Sequence, residues 1–506
     1  MPATADPTAE KSDIRERHRS TAQEVIPDDI GLYIGGEWTG SASGDTFETR
    51  DPTTGETLAE VPAGTAEDID RAVEAAWDAY NQRWADTSPA ERQRLLETIA
   101  SRVEEKAEAF ARLESLDNGK PITEARVDMG LVVDHFRYFA GAARINEGIT
   151  APSNGTRHVE TIREPYGVVG QIIPWNFPLL MAAWKLGPAL SAGNAVVLKP
   201  AEETPLTILK LMNEIDDVLP DGVVNVVPGF GPEAGAPLAN HPDIRKLAFT
   251  GSTEIGREVM KSAADHVTDI TLELGGKSPL IVFPDADLDR AVETTILAIF
   301  FNTGECCCAG SRLFVHSDIK DEFLDRLAAA AEDLTVGDPL LESTELGPKV
   351  TQEQVERTMS YVQEARDAGA TFVTGGNRPG GDGALADGCF VEPTLIADLD
   401  HDNRAVQEEI FGPVQEVFEW SDYDEMMAQA NDVDYGLAAG VLTNDLQKAY
   451  RAAKDLEAGN IWVNSYNDFP AGQPFGGYKQ SGIGRETAFE AVKHYTQTKT
   501  VNFALE

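Results

Sequence analysis

Three consecutive cysteines, Cys306-Cys307-Cys308, are the residues of this 506-residue sequence best suited to nucleophilic chemistry. Adjacent cysteines do not readily form a disulfide with one another, because the bond needs separated Cα atoms and converging Cβ vectors. The sequence has no second cysteine cluster to supply the spaced ligands of a tetrahedral metal site, so no metal site is predicted. The remaining chemical role is a thiolate nucleophile in a polar, partly open setting. The alternative is that all three are small buried apolar residues.

Several other motifs combine charged or amide side chains with glycine or proline. Each one alone has an ordinary structural explanation: Lys199 and Glu202 could be surface charges, and Glu273 could be a turn residue. The spacing from Gly251 to Gly256 differs from the usual G-x-G-x-x-G fingerprint of dinucleotide-binding proteins. Only the joint order of the motifs is specific. They are Pro174-Trp175-Asn176-Phe177-Pro178, Lys199-Pro200-Ala201-Glu202, Phe249-Thr250-Gly251-Ser252-Thr253-Glu254-Ile255-Gly256, Glu273-Leu274-Gly275-Gly276-Lys277 and Glu408-Glu409-Ile410-Phe411-Gly412-Pro413.

The elements that must position these motifs form an alternating pattern. Between residues 167 and 277, short apolar strands alternate with helical segments, which predicts βαβ units on a parallel sheet covered on both faces. Four of the motifs follow such strands, and cofactors bind beyond the carboxyl ends of the strands in sheets of this kind. A second α/β pattern continues to about residue 464 and carries the cysteines. The predicted fold class is therefore α/β, with more than one domain.

The net charge of −43 is the most unusual feature of the composition. Acidic residues are spread along the whole chain, so we interpret them as a solvated surface of the halophile type rather than an acidic tail. The alternative is an ordinary acidic mesophile protein. This charge disfavours nucleic acid and anionic membranes as partners.

No apolar run is long enough for a transmembrane helix, and none near the start resembles a signal peptide. Together with the few cysteines, this predicts a cytoplasmic protein. Residues 1–25 are predicted to be a disordered tail.

The joint set of motifs closely resembles the NAD(P)-dependent aldehyde dehydrogenase superfamily, of the hydrolytic type, over residues 31–501. The 34 residues from Glu273 to Cys307 match the spacing of the family's catalytic glutamate and cysteine. In the family pattern Gly-Gln/Glu-x-Cys, the nucleophile lies two residues beyond Gln or Glu, which selects Cys307 over its neighbours. Glu305 occupies the position often held by Gln.

The resemblance implies a mechanism for oxidising an aldehyde to a carboxylic acid. Cys307 adds to the aldehyde, and the Asn176 amide with the Cys307 backbone N–H stabilises the resulting alkoxide, at roughly 3 kcal/mol per donor. Hydride then leaves for the nicotinamide, and a thioester remains. Glu273 is the implied base that activates water for its hydrolysis, with a pKa raised by burial. Lys185 and Glu486 match a proton path behind this base, although they could equally be a structural ion pair.

For the cofactor, the resemblance implies NAD, with NADP possible. A carboxylate at Glu202 accepts hydrogen bonds from the adenosine ribose and repels a 2′-phosphate. Ser252 begins a helix whose N-terminus would face the pyrophosphate, and Glu409 matches the ligand of the nicotinamide ribose. The implied cofactor-binding residues are Ile173, Pro174, Trp175, Lys199, Glu202, Gly251, Ser252, Gly256, Leu274, Glu409 and Phe411.

The implied substrate tunnel is aromatic and consists of Phe177, Trp184 and Phe469. Its apolar mouth suits aliphatic or aromatic aldehydes, and Phe469 in place of Trp argues mildly against a betaine-aldehyde specialist. Betaine aldehyde, a specialised semialdehyde and acyl transfer to coenzyme A remain the alternative enzymatic functions. A scaffold without activity is a further alternative, which the joint presence of Asn176, Glu273 and Cys307 disfavours.

The resemblance also implies a division into domains and an assembly. A Rossmann-type NAD-binding domain is expected over residues 26–145 and 166–276, and a second α/β catalytic domain over residues 277–478. A small β oligomerisation arm is expected over residues 146–165 and 490–506. Because strands of this arm pair across subunits in the family, a homodimer or homotetramer is expected.

Overall fold

The computed structural model describes residues 11–145, 147–152, 155–379 and 383–505. The helices are α1 Lys11–Val25, α2 Ala66–Gln82, α3 Pro89–Glu105, α4 Ala107–Asn118, α5 Ile122–Ala142, α6 Pro178–Ala192, α7 Leu206–Ile215, α8 Ala236–Ala239, α9 Thr253–His266, α10 Leu288–Phe300, α11 Lys320–Asp333, α12 Gln352–Asp367, α13 Arg404–Gln407, α14 Tyr423–Asn431, α15 Leu446–Asp455 and α16 Phe489–His494.

The strands are β1 Leu32–Ile34, β2 Glu37–Thr39, β3 Thr46–Arg50, β4 Thr57–Pro62, β5 Thr150–Ala151, β6 Arg157–Pro165, β7 Val168–Ile172, β8 Ala195–Lys199, β9 Val224–Val226, β10 Lys246–Thr250, β11 Asp269–Glu273, β12 Pro279–Val282, β13 Arg312–His316, β14 Thr371–Thr374, β15 Thr394–Ala397, β16 Val414–Trp420, β17 Tyr435–Gly436, β18 Ala438–Leu442, β19 Asn460–Val463, β20 Tyr478–Lys479, β21 Gly482–Ile483 and β22 Thr496–Ala504.

The first large sheet has the strand order β2-β1-β9-β8-β7-β10-β11-β21. Its five central strands, β9 to β11 in this order, are parallel, and β7, β8, β9 and β10 are buried along their whole length. Such continuous burial is what apolar runs without alternation predict, since helices cover both faces. The prediction of a parallel α/β sheet is confirmed.

The second large sheet has the order β14-β15-β16-β13-β12-β18-β19 and is parallel from β15 to β19. Its strand β12 begins two residues after Lys277, so the Glu273-to-Lys277 motif connects the two sheets directly. Near the end of the chain, β21 returns to the first sheet and pairs with β11 at Leu272 and Glu273. The connection to the second sheet and the pairing with β21 thus both occur at the carboxyl end of β11.

The helical pattern between residues 88 and 118 is interrupted at Lys106, which has φ −113° and ψ 13°. Lys106 ends α3 and begins α4, so this part of the chain forms two helices. Helix α4 ends at Gly119, which adopts φ 95° in the left-handed region that favours glycine.

The prediction of a disordered tail is wrong for residues 11–25, which form α1; residues 1–10 lie outside the described residues. The buried face of α1 consists of Ile14, His18, Thr21 and Val25, at helical spacing. Two of these four residues are polar, so the apolar periodicity that predicts a helix is weak here. Burial depends instead on a specific interaction, in which His18 lies 2.7 Å from Asp51 and 2.8 Å from Asp338.

The terminal strand β22 pairs antiparallel with β6 along nine residues, and β6 pairs with β5. This three-stranded sheet is separate from the two large sheets, and most of β22 is exposed. Among the described residues, no helix has both the length and the apolar character needed to cross a membrane.

Histidine 18 should make stability depend on pH in a defined direction. Burial alone would lower its pKa, but hydrogen bonds and charge from Asp338 and Asp51 outweigh burial and raise the pKa of His18 from 6.5 to about 9. Because its pKa is raised on folding, protonated His18 contributes at most about 3 kcal/mol to the free energy of unfolding. This contribution is fully present below pH 6.5 and is lost as the pH rises through about 9. Thermal unfolding of His18→Gln should therefore show a deficit at pH 6 that narrows toward pH 9.5, whereas exposed His266→Gln should follow the unmodified protein. A deficit that is constant with pH would contradict this interpretation.

Candidate active site

A cleft with about 960 Å³ of empty space lies where the two large sheets meet. In the first sheet, its walls come from the carboxyl ends of β7, β10 and β11. The remaining walls come from α6, from α12 and from loops of the second half of the chain, including the loop after α10. Most of the residues predicted to act in chemistry or binding line this one cleft. They are Pro174, Trp175, Asn176, Phe177, Trp184, Gly251, Ser252, Glu273, Leu274, Cys307, Glu409, Phe411 and Phe469.

The cysteine loop leaves α10 through a short helical turn, Phe301–Gly304, with unusual backbone geometry. Asn302 and Thr303 have φ values of 50° and 55°, a region that costs energy for residues with a side chain. The turn is held by neighbours: Glu124 accepts a hydrogen bond from the Asn302 backbone N–H at 2.8 Å. The loop geometry is therefore fixed by its surroundings and not by local preference.

The three cysteines differ in their access to the cleft. Cys306 and Cys308 are buried, and their sulfur atoms lie 3.3 Å apart, whereas Cys307 is partly exposed. Hydrogen bonding to Cys306 and burial raise the pKa of the Cys307 thiol well above its usual value. A raised pKa favours the thiol form of Cys307, and nucleophilic attack from that form needs a base to remove the proton.

Asn176 lies beside the cysteine loop at the N-terminus of α6. Its side-chain amide donates a hydrogen bond to the Glu305 carbonyl at 3.0 Å, and the Asn302 side chain donates to the Asn176 carbonyl at 2.9 Å. These bonds orient the amide at the cleft wall that it shares with Cys307. A preorganised amide donor at this position can stabilise an oxyanion formed on an aldehyde carbon.

Glu273 ends β11, and its carboxylate is buried without a hydrogen-bond partner among the described residues. Desolvation, reinforced by the charge of Glu486, raises the pKa of Glu273 well above its ordinary value. A buried carboxylate with a raised pKa is suited to general-base catalysis near neutral pH. Behind it, Lys185 and Glu486 form a buried ion pair at 2.6 Å and do not line the cleft itself.

The two glycines after Glu273 permit a close approach between the two halves of the site. A Cβ atom at Gly276 would overlap the Cys307 carbonyl oxygen, and a Cβ atom at Gly275 would overlap the Glu409 carboxylate. The Gly276 N–H donates to Glu409 at 2.9 Å. Larger residues would push the cysteine loop away from the end of β11, and the motif is therefore a packing requirement of the site.

The predicted cofactor residues divide into two groups. Ser252 caps the N-terminus of α9, where its hydroxyl accepts a hydrogen bond from the Ile255 N–H at 3.3 Å. Gly256 packs tightly against Leu274. Lys199 and Glu202 form an ion pair at 2.7 Å beyond the end of β8. Neither of these two lines the cleft, nor do Ile173 and Gly256.

The apolar end of the cleft is more aromatic than the predicted tunnel. Phe177 stacks on Phe301 with ring centroids 5.9 Å apart, and Trp184 contacts Phe469 and Phe475 at 6.3 and 5.2 Å. Sequence reasoning missed Phe475, Gln354 and Arg357, which line the cleft, and Phe301, which packs on Phe177. No sequence signal distinguishes Gln354 and Arg357 from surface residues of α12.

A buried ion pair beneath the cleft explains how position 305 accommodates a glutamate in the protein interior. Lys349 lies 2.7 Å from Glu305, both side chains are almost fully buried, and Lys349 also donates to the Phe411 carbonyl at 2.6 Å. Burial raises the pKa of Glu305 to about 7, against the opposing effect of Lys349. The pair thus links the cysteine loop to Phe411, whose ring packs edge-on against Trp175 at 5.2 Å.

Comparisons with known proteins agree with this geometry. A model of the "Aldehyde dehydrogenase family" matches residues 38–501. Mitochondrial benzaldehyde dehydrogenase of Antirrhinum majus is 48% identical over 481 residues, which cover 94% of this chain and 89% of the relative. Human mitochondrial aldehyde dehydrogenase is 47% identical over 476 residues, 93% of this chain and 91% of the relative. The structure of an aldehyde dehydrogenase from Bacillus cereus in complex with NAD⁺ aligns with a TM-score of 0.93 at 42% identity and covers 100% of both chains.

The parallel-sheet architecture and these relatives define the class of protein as an oxidoreductase. The chain belongs to the aldehyde dehydrogenase family, and the resemblance seen in the sequence motifs is confirmed.

The Glu305–Lys349 pair should behave as a coupled unit. Glu305→Gln or Lys349→Gln alone leaves an unpaired buried charge and should lower the free energy of unfolding by about 3 kcal/mol. The double variant Glu305→Gln/Lys349→Gln removes both charges and should recover most of this loss. Urea unfolding of the four proteins gives the coupling energy, with Glu419→Gln of the exposed Lys320–Glu419 pair as the matched control. Additive losses in the double variant would contradict the coupling.

Proposed function

We propose that the protein oxidises an aldehyde to the carboxylic acid with NAD, using Cys307 as nucleophile and Glu273 as the base for thioester hydrolysis. One observation carries the proposal. Cys307, Asn176 and Glu273 converge on a single cleft although they come from three separate segments of the chain. A thiol, an oxyanion donor and a buried base are the groups that acyl transfer through a thioester requires.

The residues around the cleft fit a dinucleotide. Gly251, Ser252 and Gly275 line the cleft, and the N-terminus of α9 offers N–H donors for a pyrophosphate. Burial raises the pKa of Glu409 to about 7, and a sugar hydroxyl would give this carboxylate a further hydrogen bond. When bound, NAD supplies the hydride acceptor. NAD⁺ is present in the Bacillus cereus relative, which supports the same cofactor here.

Protein residues account for the remaining steps. Cys307 loses its proton to a base and bonds to the aldehyde carbon, while Asn176 and the Cys307 N–H hold the alkoxide. Loss of hydride leaves a thioester on Cys307. Glu273 then takes a proton from water, and the hydroxide adds to the thioester carbon and releases the acid with return of the thiolate. In this proposal Glu486, held by its 2.6 Å contact with Lys185, receives the proton from Glu273.

Glu202 is the proposed determinant of cofactor preference. Its carboxylate would accept hydrogen bonds from a ribose and repel a 2′-phosphate, which favours NAD over NADP. The 2.7 Å contact with Lys199 holds this carboxylate beside β8, at the edge where an adenosine would lie.

The cleft geometry favours an apolar aldehyde as substrate. Phe177, Trp184, Phe469 and Phe475 make the apolar end aromatic, with Phe301 stacked on Phe177. The described lining there offers no cation for a carboxylate-bearing semialdehyde. Benzaldehyde dehydrogenase among the relatives is consistent with an aromatic aldehyde. A betaine-aldehyde or semialdehyde specialist is the second candidate, and acyl transfer to coenzyme A is disfavoured because the base Glu273 is present.

Three further features belong to the same proposal. The segments 26–145 and 166–276 form the NAD-binding domain, and residues 277–478 form the catalytic domain. The β5–β6–β22 sheet, within residues 146–165 and 490–506, serves as the arm of a homodimer or homotetramer, which its separation from the large sheets supports. The charge of −43 is an adaptation of a cytoplasmic protein to high salt.

The function can be tested with two variants in one assay. Reduction of NAD and of NADP is followed at 340 nm with a panel of aromatic, aliphatic, betaine and semialdehyde substrates in molar KCl. Cys307→Ala should abolish reduction. Glu273→Gln should retain one burst of reduction per site but lose about 10²- to 10⁴-fold in steady-state turnover, because the thioester forms and is not hydrolysed. Unchanged turnover in Glu273→Gln would contradict the role of the base, and reduction by Cys307→Ala would contradict the nucleophile.

Salt dependence follows from the surface charge. Screening of acidic side chains should raise both activity and thermal stability as KCl increases from low to molar concentration. Differential scanning calorimetry and initial rates over a KCl series would measure both effects. A protein that is fully stable and active in dilute buffer would contradict the proposed adaptation.

A further inference from the structure

The loop between β7 and α6 carries Asn176 and, directly after it, the cleft residue Phe177. Phe177 occupies the N-cap position of α6, where it has no polar side chain to bond the helix and makes no side-chain cap hydrogen bond. The orientation of Phe177 in the cleft wall therefore depends on what its ring contacts. One contact is the ring of Phe301, with centroids 5.9 Å apart. A second contact is a cation.

Lys120 places its ammonium group over the Phe177 ring. Nζ lies 4.3 Å from the ring centroid, within the roughly 6 Å range of cation–π attraction. The Lys120 side chain is fully buried and contacts Asp128 at 2.6 Å and Glu114 at 3.0 Å. Burial opposes the charge, but the two carboxylates outweigh it and raise the pKa of Lys120 above its ordinary value. The group over the ring is thus a cation held by two anions.

The segment that carries Lys120 is also anchored through its backbone. Gly119 has φ 95°, and a Cβ atom there would lie 2.9 Å from each of two prolines of neighbouring loops. Asn118 accepts a hydrogen bond from the Lys120 N–H at 3.2 Å, and its amide donates to the Trp175 carbonyl at 3.0 Å. The same short segment therefore contacts the backbone just before Asn176 and the ring just after it.

The charge of Lys120 is not explained by stability. Removing an ammonium group from water is unfavourable, and buried ion pairs can often be replaced by apolar side chains without loss of stability. Methionine at this position would fill a similar space but would exert no comparable attraction on the face of the Phe177 ring. A cation attracts that face, so it favours one angle of the ring in the cleft wall. A large apolar aldehyde has surface to pack against this wall, whereas acetaldehyde offers only a methyl group.

We propose that Lys120, held by Glu114 and Asp128, is a positioning residue that orients the Phe177 ring and so favours large apolar aldehydes over small ones. This assignment rests on the proposed function and names a determinant of its substrate class. Lys120 is not among the described residues that line the cleft, so its effect on the substrate passes through the ring.

A double-mutant cycle tests whether Lys120 acts through Phe177. Lys120→Met is made in the unmodified protein and in Phe177→Leu, and NAD reduction at 340 nm gives kcat/KM for benzaldehyde and for acetaldehyde. The ratio of the two values does not depend on the folded fraction of each protein, so a merely structural defect leaves it unchanged. In both backgrounds Lys120→Met is also combined with Glu114→Gln and Asp128→Asn. This combination removes the two carboxylates that Lys120 contacts, so the test does not depend on the folding of Lys120→Met alone.

A second lysine over a phenylalanine ring supplies the matched control. The ammonium group of Lys210 lies 5.7 Å from the centroid of Phe110, and neither residue is among the described residues that line the cleft. Lys210→Met should therefore leave the benzaldehyde-to-acetaldehyde ratio at the value of the unmodified protein.

Loss of the cation should lower the benzaldehyde-to-acetaldehyde ratio about tenfold in the presence of Phe177 and should leave it unchanged in Phe177→Leu. An unchanged ratio in the Lys120 variants would overturn the proposal, as would an equal fall in the Phe177→Leu background. Activity of the unmodified protein on acetaldehyde alone would also overturn it. Absence of NAD reduction by the unmodified protein with every aldehyde would instead overturn the proposed function.

Discussion

The close approach of Gly276 to the Cys307 main chain is the constraint on which the active site depends. The cysteine loop belongs to the second sheet's half of the chain and Glu273 to the first, and both reach one cleft only because no side chain separates them. β21 reinforces the same junction by pairing with β11 at Glu273. A substitution that enlarged Gly276 would thus move the nucleophile relative to the base, and rates depend steeply on such distances.

Much of the fold could be predicted from the sequence, because it depends on local patterns. Continuous apolar runs such as β7 and β8 have no solvated face, and the alternation with helices leaves few topologies other than a parallel sheet. The helix α1 could not be predicted in this way. Its burial depends on His18 meeting Asp51 and Asp338, residues that are 33 and 320 positions away and carry no joint signal in one sequence.

The residues of the candidate site likewise divide into those that the sequence could predict and those that it could not. The motifs at the cleft that contain glycine or begin a helix could be identified from the sequence, because their joint order is specific. Lys349 was missed because its importance comes from Glu305, 44 positions earlier, and from the Phe411 carbonyl. A lysine in a loop is ordinarily a surface residue. Only the three-dimensional structure shows that the carboxylate at Glu305, at a position often held by Gln, is accompanied by a buried cation.

The buried charges around the cleft form a connected system rather than separate ion pairs. Desolvation raises the pKa of Glu273, which makes it an effective base but also makes its proton harder to release. Hydrogen bonding to Cys306, together with burial, also raises the pKa of the Cys307 thiol. The cleft therefore raises the pKa of both the nucleophile and the base, and each of them depends on its neighbours as much as on its own residue type.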